Sequence, residues 1–100
     1  MSVGGIVGQA AGSSKITITN CYNESNVIGN SNNGGIVGLC SGEITNCYNC
    51  GDISGNGYSG GIVGNQGTAI NCYNKGKVNS NNTNAGGIIG VTSRNNKELL

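Results

Sequence analysis

The sequence predicts an all-β chain wound as a parallel β-solenoid, and three observations carry that prediction. A Gly-Gly-Ile-Val-Gly block occupies residues 4–8, 34–38 and 60–64 and returns as Gly-Gly-Ile-Ile-Gly at 86–90, so its starts lie 30, 26 and 26 residues apart. A second block, Asn-Cys-Tyr-Asn, keeps the same phase at residues 20–23, 46–49 and 71–74. A β-branched residue then follows each of its cysteines by six positions, at Val27, Ile53 and Val78. Three anchors in one register mark a repeat architecture, in which each unit buries its apolar side against its neighbours.

Each unit reads as three short extended segments separated by turns. The first is the Ile-Val pair after the double glycine, the second an Ile/Thr stretch leading into Cys-Tyr, and the third the Val or Ile after Asn-x-Gly. Short β-branched runs bounded by Gly and Asn are strand signals, and none has the spacing of an amphipathic helix. The intervening Gly and Asn reach the left-handed backbone region that sharp turns demand. Three short strands per period describe one coil of a parallel β-helix, with equivalent residues of successive coils ~4.8 Å apart. An antiparallel sandwich would need hairpin turns and gives no reason for the same residues to return every 26 positions. The expected units are about 4–33, 34–59 and 60–85 with a partial fourth at 86–91, about three coils in a single domain. Crossover handedness predicts a right-handed coil.

Departures from the period locate the loops. The first unit carries about four extra residues around Ser13 to Ile16, and the third is one residue short before Asn71. Both fall between the double-glycine block and the cysteine, so that corner is expected to bulge. Residues 92–100, with Arg94, Lys97 and Glu98, leave the pattern as a polar tail.

Composition agrees with a thin core. Gly supplies 20 of 100 residues, Pro none, and there is no Phe or Trp to fill a large round interior. Fixed apolar positions separate the chain from low-complexity linkers of similar bias. Five basic and four acidic residues give no patch able to neutralise several phosphates, so nucleic acid is not expected as a partner. No apolar run approaches the ~20 residues of a membrane span, and the first residues lack the pattern of a signal peptide.

The residues that could carry chemistry recur in columns. Cys21, Cys47 and Cys72 occupy one repeat position, where stacked side chains one coil apart fit a disulfide poorly and read as small buried apolar groups, a structural ladder. Cys47-x-x-Cys50 has zinc-like spacing, but no second pair and no His accompany it, so no metal or other cofactor is expected. Cys40 and Cys50 are unique to the middle unit, and a disulfide between them is an option if both face solvent at one corner. Tyr22, Tyr48 and Tyr73 follow the cysteines, so alternation turns them outward as a stripe that either stacks coil on coil or contacts sugars. Asn20, Asn46 and Asn71, with Asn23, Asn49 and Asn74, are expected to form amide ladders at the turns. The acidic residues Glu24, Glu43, Asp52 and Glu98 form no repeated pair, which leaves no candidate for acid–base catalysis and predicts a protein that is not an enzyme.

Gly-Gly-Ile-Val-Gly, a variable stretch, then Ile-x-Asn-Cys-Tyr-Asn-x-Gly-x-Ile/Val resembles the GLUG motif, a repeat found in arrays in large bacterial surface proteins, including some immunoglobulin A proteases. The resemblance runs from Val3 to about Val91 and is tightest over residues 34–53 and 60–78. It is looser in the first unit, where Ser25 stands in the place of Gly51 and Gly76. The resemblance implies an extracellular or cell-surface segment of a longer Gram-positive or anaerobic protein, a stalk or adhesin without catalytic residues, and it transfers no binding residue.

The leading expectation is therefore a structural or adhesive spacer whose partners are neighbouring repeats. Two alternatives compete with it: a carbohydrate-binding module that presents Tyr22, Tyr48 and Tyr73 to surface glycans, and a filament that forms by end-to-end stacking of coils. An ice-binding face is disfavoured, because Thr17 and Thr19 are not followed by a second pair around Thr45.

Overall fold

The computed structural model describes residues 2–10, 16–81 and 84–91. These form an all-β parallel solenoid. The first coil contains β1 (Ser2–Gly4), β2 (Val7–Ala10), β3 (Thr17–Thr19), β4 (Tyr22–Asn23) and β5 (Val27–Ile28). The second contains β6 (Asn32–Gly34), β7 (Val37–Cys40), β8 (Glu43–Thr45), β9 (Tyr48–Asn49) and β10 (Ile53–Gly55). The third contains β11 (Tyr58–Gly60), β12 (Val63–Asn65), β13 (Thr68–Ile70), β14 (Tyr73–Asn74) and β15 (Val78–Ser80), and a fourth begins with β16 (Ala85–Gly86) and β17 (Ile89–Val91).

Every strand pairs in parallel with its counterpart one coil away, and the repeats stack in the register the sequence blocks define. Val37 lies between Val7 and Val63, Ile44 between Ile18 and Ala69, and Ile53 between Val27 and Val78. The core is this set of columns. Ile36, Val37, Ile44, Ile53, Ile62 and Val63 are all fully buried, and each such side chain contributes about 1.5–3 kcal/mol of burial.

Each coil has five short strands rather than the three expected, and the difference has two causes. Asn20, Asn46 and Asn71 take φ values of 57°, 56° and 54°, which breaks the Ile/Thr stretch from Cys-Tyr and makes two strands of one. A further strand precedes the double glycine, at β6 and β11, where polar Asn-Asn-Gly and Tyr-Ser-Gly carry no apolar signal. Its parallel ladder to the coils on either side supplies the pairing that the side chains do not advertise.

Close coil-to-coil approach dictates the glycines. A Cβ on Gly35 would stand 2.1 Å from the carbonyl oxygen of Gly61 in the coil above. One on Gly51 would stand 2.0 Å from that of Ser25 in the coil below. Ser25 itself belongs to the first coil and has no described coil beneath it, so the departure from Gly meets no such obstacle.

The shortened third unit tightens the corner where the irregularity was expected. Asn65 pairs with Leu39 and Thr68 with Glu43, so residues 66–67 span what residues 40–42 span in the middle coil. Gln66 and Gly67 achieve this with φ of 64° and 85°. Of the extra residues in the first unit, 11–15 lie outside the described residues, as do the tail residues 92–100.

Candidate functional site

The tyrosine stripe forms, and its geometry limits what it can do. Tyr22 and Tyr48 stack with centroids 5.1 Å apart and planes 6° from parallel, and Tyr48 and Tyr73 with 4.9 Å and 3°. The middle ring therefore has both faces covered. Tyr73 has Lys75 Nζ 5.8 Å from its centroid, and Tyr22 at the end of the stack is the most exposed of the three. Partial burial pushes the Tyr48 phenol up, and the neighbouring Tyr73 and Tyr22 add to the shift. The middle ring can offer solvent only its edge, whereas stacking on a sugar needs an open face, which leaves the exposed end ring, Tyr22. A shallow depression of about 260 Å³ lies beside it, lined by Asn46, Cys47, Tyr48, Asn71 and Tyr73.

Cys47 and Cys72 are buried in the expected inner column, with Cys21 half-buried at its end. Each thiol donates to the carbonyl two residues earlier, Cys21 to Thr19 at 3.2 Å, Cys47 to Thr45 at 3.3 Å and Cys72 to Ile70 at 3.3 Å. The left-handed asparagine between donor and acceptor creates that contact by folding the chain back. Burial pushes the Cys47 thiol up to about 11, and Cys72 moves the same way for the same reason. Protonated, buried thiols are poor nucleophiles and poor metal ligands.

All five cysteines are free, and the conceived pairing of Cys40 with Cys50 is corrected by their placement. Cys50 is exposed, but Cys40 is fully buried at the end of β7, where its sulfur accepts a hydrogen bond from the Gly42 amide at 3.2 Å. Cys40 fills the inside of the corner that the third coil shortens.

The buried asparagines make the most complete arrangement in the molecule. Asn23 Nδ2 donates to Asn49 Oδ1 at 2.8 Å, and Asn49 Nδ2 donates to Asn74 Oδ1 at 2.7 Å. Each Nδ2 also donates to the carbonyl two residues on, and each Oδ1 accepts the amide at that same position, so every coil closes its own turn. In the outer column Asn71 Nδ2 donates to Asn46 Oδ1.

Two further columns escaped the sequence reading. Asn81 donates to Asn56 at 2.9 Å and Asn56 to Asn30 at 3.1 Å, a ladder signalled only by Gly-Asn, Gly-Asn and Ser-Asn at residues 29–30, 55–56 and 80–81. In the other, the Asp52 amide donates to Asn26 Oδ1 and the Lys77 amide to Asp52 Oδ1, a capping role that three different residue types conceal. Asn33, fully buried between Val3 and Ser59, keeps an Oδ1 with no hydrogen-bond partner among the described residues.

What the arrangement can do chemically is therefore mostly hold itself together. Among the described residues no three His, Cys, Asp or Glu side chains cluster to hold a metal ion, and no helix is long and apolar enough to cross a membrane. Comparison with curated proteins and with solved structures finds no match. A family model described as the GLUG motif does match, over residues 1–28, the span that holds the first double-glycine block, Asn20-Cys21-Tyr22-Asn23 and Val27, so the first repeat of this β-solenoid is similar to that motif.

Proposed function

We propose that the chain is a structural spacer of a bacterial surface protein, without catalytic activity of its own. The observation that carries this reading is that the side chains able to do chemistry are already engaged with one another. The Asn49 amide is saturated along its ladder, the thiols of Cys21, Cys47 and Cys72 are bonded to backbone carbonyls, and the central tyrosine has no free face. The GLUG motif is a structural repeat type rather than an enzyme family, and its resemblance to surface-protein arrays motivates the extracellular placement.

The carbohydrate reading keeps one supporting observation, the depression beside Tyr48 and Tyr73 with two amides at its rim. A glycan array probed with the wild type and with the Tyr22, Tyr48 and Tyr73 triple Ala variant separates the two. A spacer shows no glycan signal in either protein, and the triple variant melts at a lower temperature because the stack is lost. Glycan binding by the wild type that the triple variant loses would replace the spacer with a binding module.

A further inference from the structure

We infer that Asn56-Gly57 is a site of spontaneous covalent modification, at which the middle coil loses ammonia through a succinimide and ends as aspartate or isoaspartate. The chemistry needs an asparagine whose carboxamide carbon is within reach of the next backbone nitrogen, and a next residue with no side chain to block that approach. Asn-Gly occurs twice in the chain, at residues 33–34 and 56–57. The fold treats the two in opposite ways.

Asn33 lies inside β6, paired with Val3 and Ser59 in the coils on either side, and is fully buried, out of reach of the water that the reaction consumes. Asn56 is exposed at the bend between β10 and β11. Its side chain donates to Asn30 Oδ1 at 3.1 Å and accepts from Asn81 Nδ2 at 2.9 Å, both at the surface. The restraint falls on the attacking group instead, because the Gly57 amide donates to the Asn30 carbonyl at 2.6 Å. That bond must open before the nitrogen can turn on Cγ, so the rate follows the opening of this corner, which costs less free energy than opening the core.

The fold also fixes the labile pair in place. A Cβ on Gly57 would stand 2.2 Å from the Ser31 carbonyl oxygen in the first coil, and Asn56 is the middle rung of the ladder from Asn81 to Asn30. The other rungs read Asn30-Ser31 and Asn81-Asn82, whose second residues carry side chains. Close packing thus places the reactive dipeptide in the middle coil.

The reaction balances without an oxidant or cofactor. The Gly57 N–H gives its proton to solvent base, its nitrogen bonds to Asn56 Cγ, and the Cγ–Nδ2 bond breaks to release ammonia. Water then opens the ring at either carbonyl. Opening at Cγ leaves aspartate, whose carboxylate sets an acceptor opposite Asn30 Oδ1 and loses one exposed rung. Opening at the main-chain carbonyl leaves isoaspartate, with one more carbon in the backbone just before β11, so Tyr58 and Ser59 lose register with Asn32 and Asn33. This chemistry is independent of the spacer role.

Peptide mapping by mass spectrometry tests the site in the folded chain and in the chain unfolded in guanidinium chloride, at mildly alkaline pH, until half of the unfolded chain is modified at both positions. The two positions are expected to react alike when unfolded. In the folded chain Asn56 is expected to react more than about tenfold faster than Asn33, because openings of the core are rarer. Asn56→Gln, which would have to close a larger ring, is expected to give no product at that position. The isoaspartate form, recognised by enzymatic methylation, is expected to melt below the wild type, and Asn56→Asp close to it. No detectable product at residue 56 of the folded chain overturns the proposal, as does reaction at Asn33 that keeps pace with Asn56 there, or an Asn56→Gln variant that reacts like the wild type. An isoaspartate form that melts with the wild type overturns the loss of register.

Discussion

Asn49 is the side chain whose loss the solenoid should tolerate least. It is fully buried and makes four hydrogen bonds, to Asn23, to Asn74 and to both backbone groups of Gly51. At about 1 kcal/mol net for each bond, truncation to Ala removes about 4 kcal/mol, and the stranded Asn23 donor and buried Gly51 groups hold the figure up. That is a large share of the roughly 5–15 kcal/mol that stabilises an ordinary domain. Asn49→Asp nearly keeps the shape but puts an acceptor oxygen in place of Nδ2, facing two other acceptors, Asn74 Oδ1 and the Gly51 carbonyl, so it should be at least as damaging. Asn56→Ala is the comparator, because Asn56 makes two ladder bonds while exposed. Water replaces them, and the loss should stay below about 1 kcal/mol. Urea unfolding followed by far-UV circular dichroism, with slopes compared between variants, measures all three. Equal losses for Asn49→Ala and Asn56→Ala would refute the claim that a saturated, dry ladder organises the fold.

Two further outcomes follow from the same geometry. Burial raises the Cys47 thiol from 9.0 to about 11, and Cys40 and Cys72 shift in the same direction. The unfolded chain sheds these protons first, so stability is fully present below about pH 9 and falls as the pH rises toward about 11. Urea midpoints from pH 7 to 11 should show a shallower alkaline decline for Cys47→Ser than for the wild type, and identical declines would count against the buried thiol as their source. Gln66 holds a left-handed φ of 64° without being glycine. Gln66→Gly should relieve about 1 kcal/mol of strain and raise the melting temperature by a few degrees, and a lowered melting temperature would show that the Gln side chain compensates for its backbone.

Much of the fold was legible because its determinants repeat. Each interior coil meets an identical neighbour, so the same residue solves the same contact every 25 or 26 positions, as at Ile36 and Ile62 or Cys47 and Cys72. The features that stayed hidden do not repeat or are not apolar. Cys40 lies opposite Ala10 of the first coil and no second cysteine repeats it, which made it look like a surface thiol. The strand at Asn32–Gly34 is held by backbone pairing and offered no hydrophobic pattern. The break at Asn46 depends on a left-handed φ that Asn permits without announcing. The tyrosines were readable as an outward column, but whether their faces were open or closed depended on coil spacing and side-chain rotation together.

The two longest asparagine ladders run in opposite senses. Amides of the Asn23 column donate toward the third coil, whereas those of the Asn30 column donate toward the first. Their dipoles therefore oppose each other along the solenoid axis, and each added coil contributes one of each sign. A helix lengthened in the same way presents charged ends. An array of these repeats can grow without polarising its termini through those columns, which suits a module that must be repeated an arbitrary number of times.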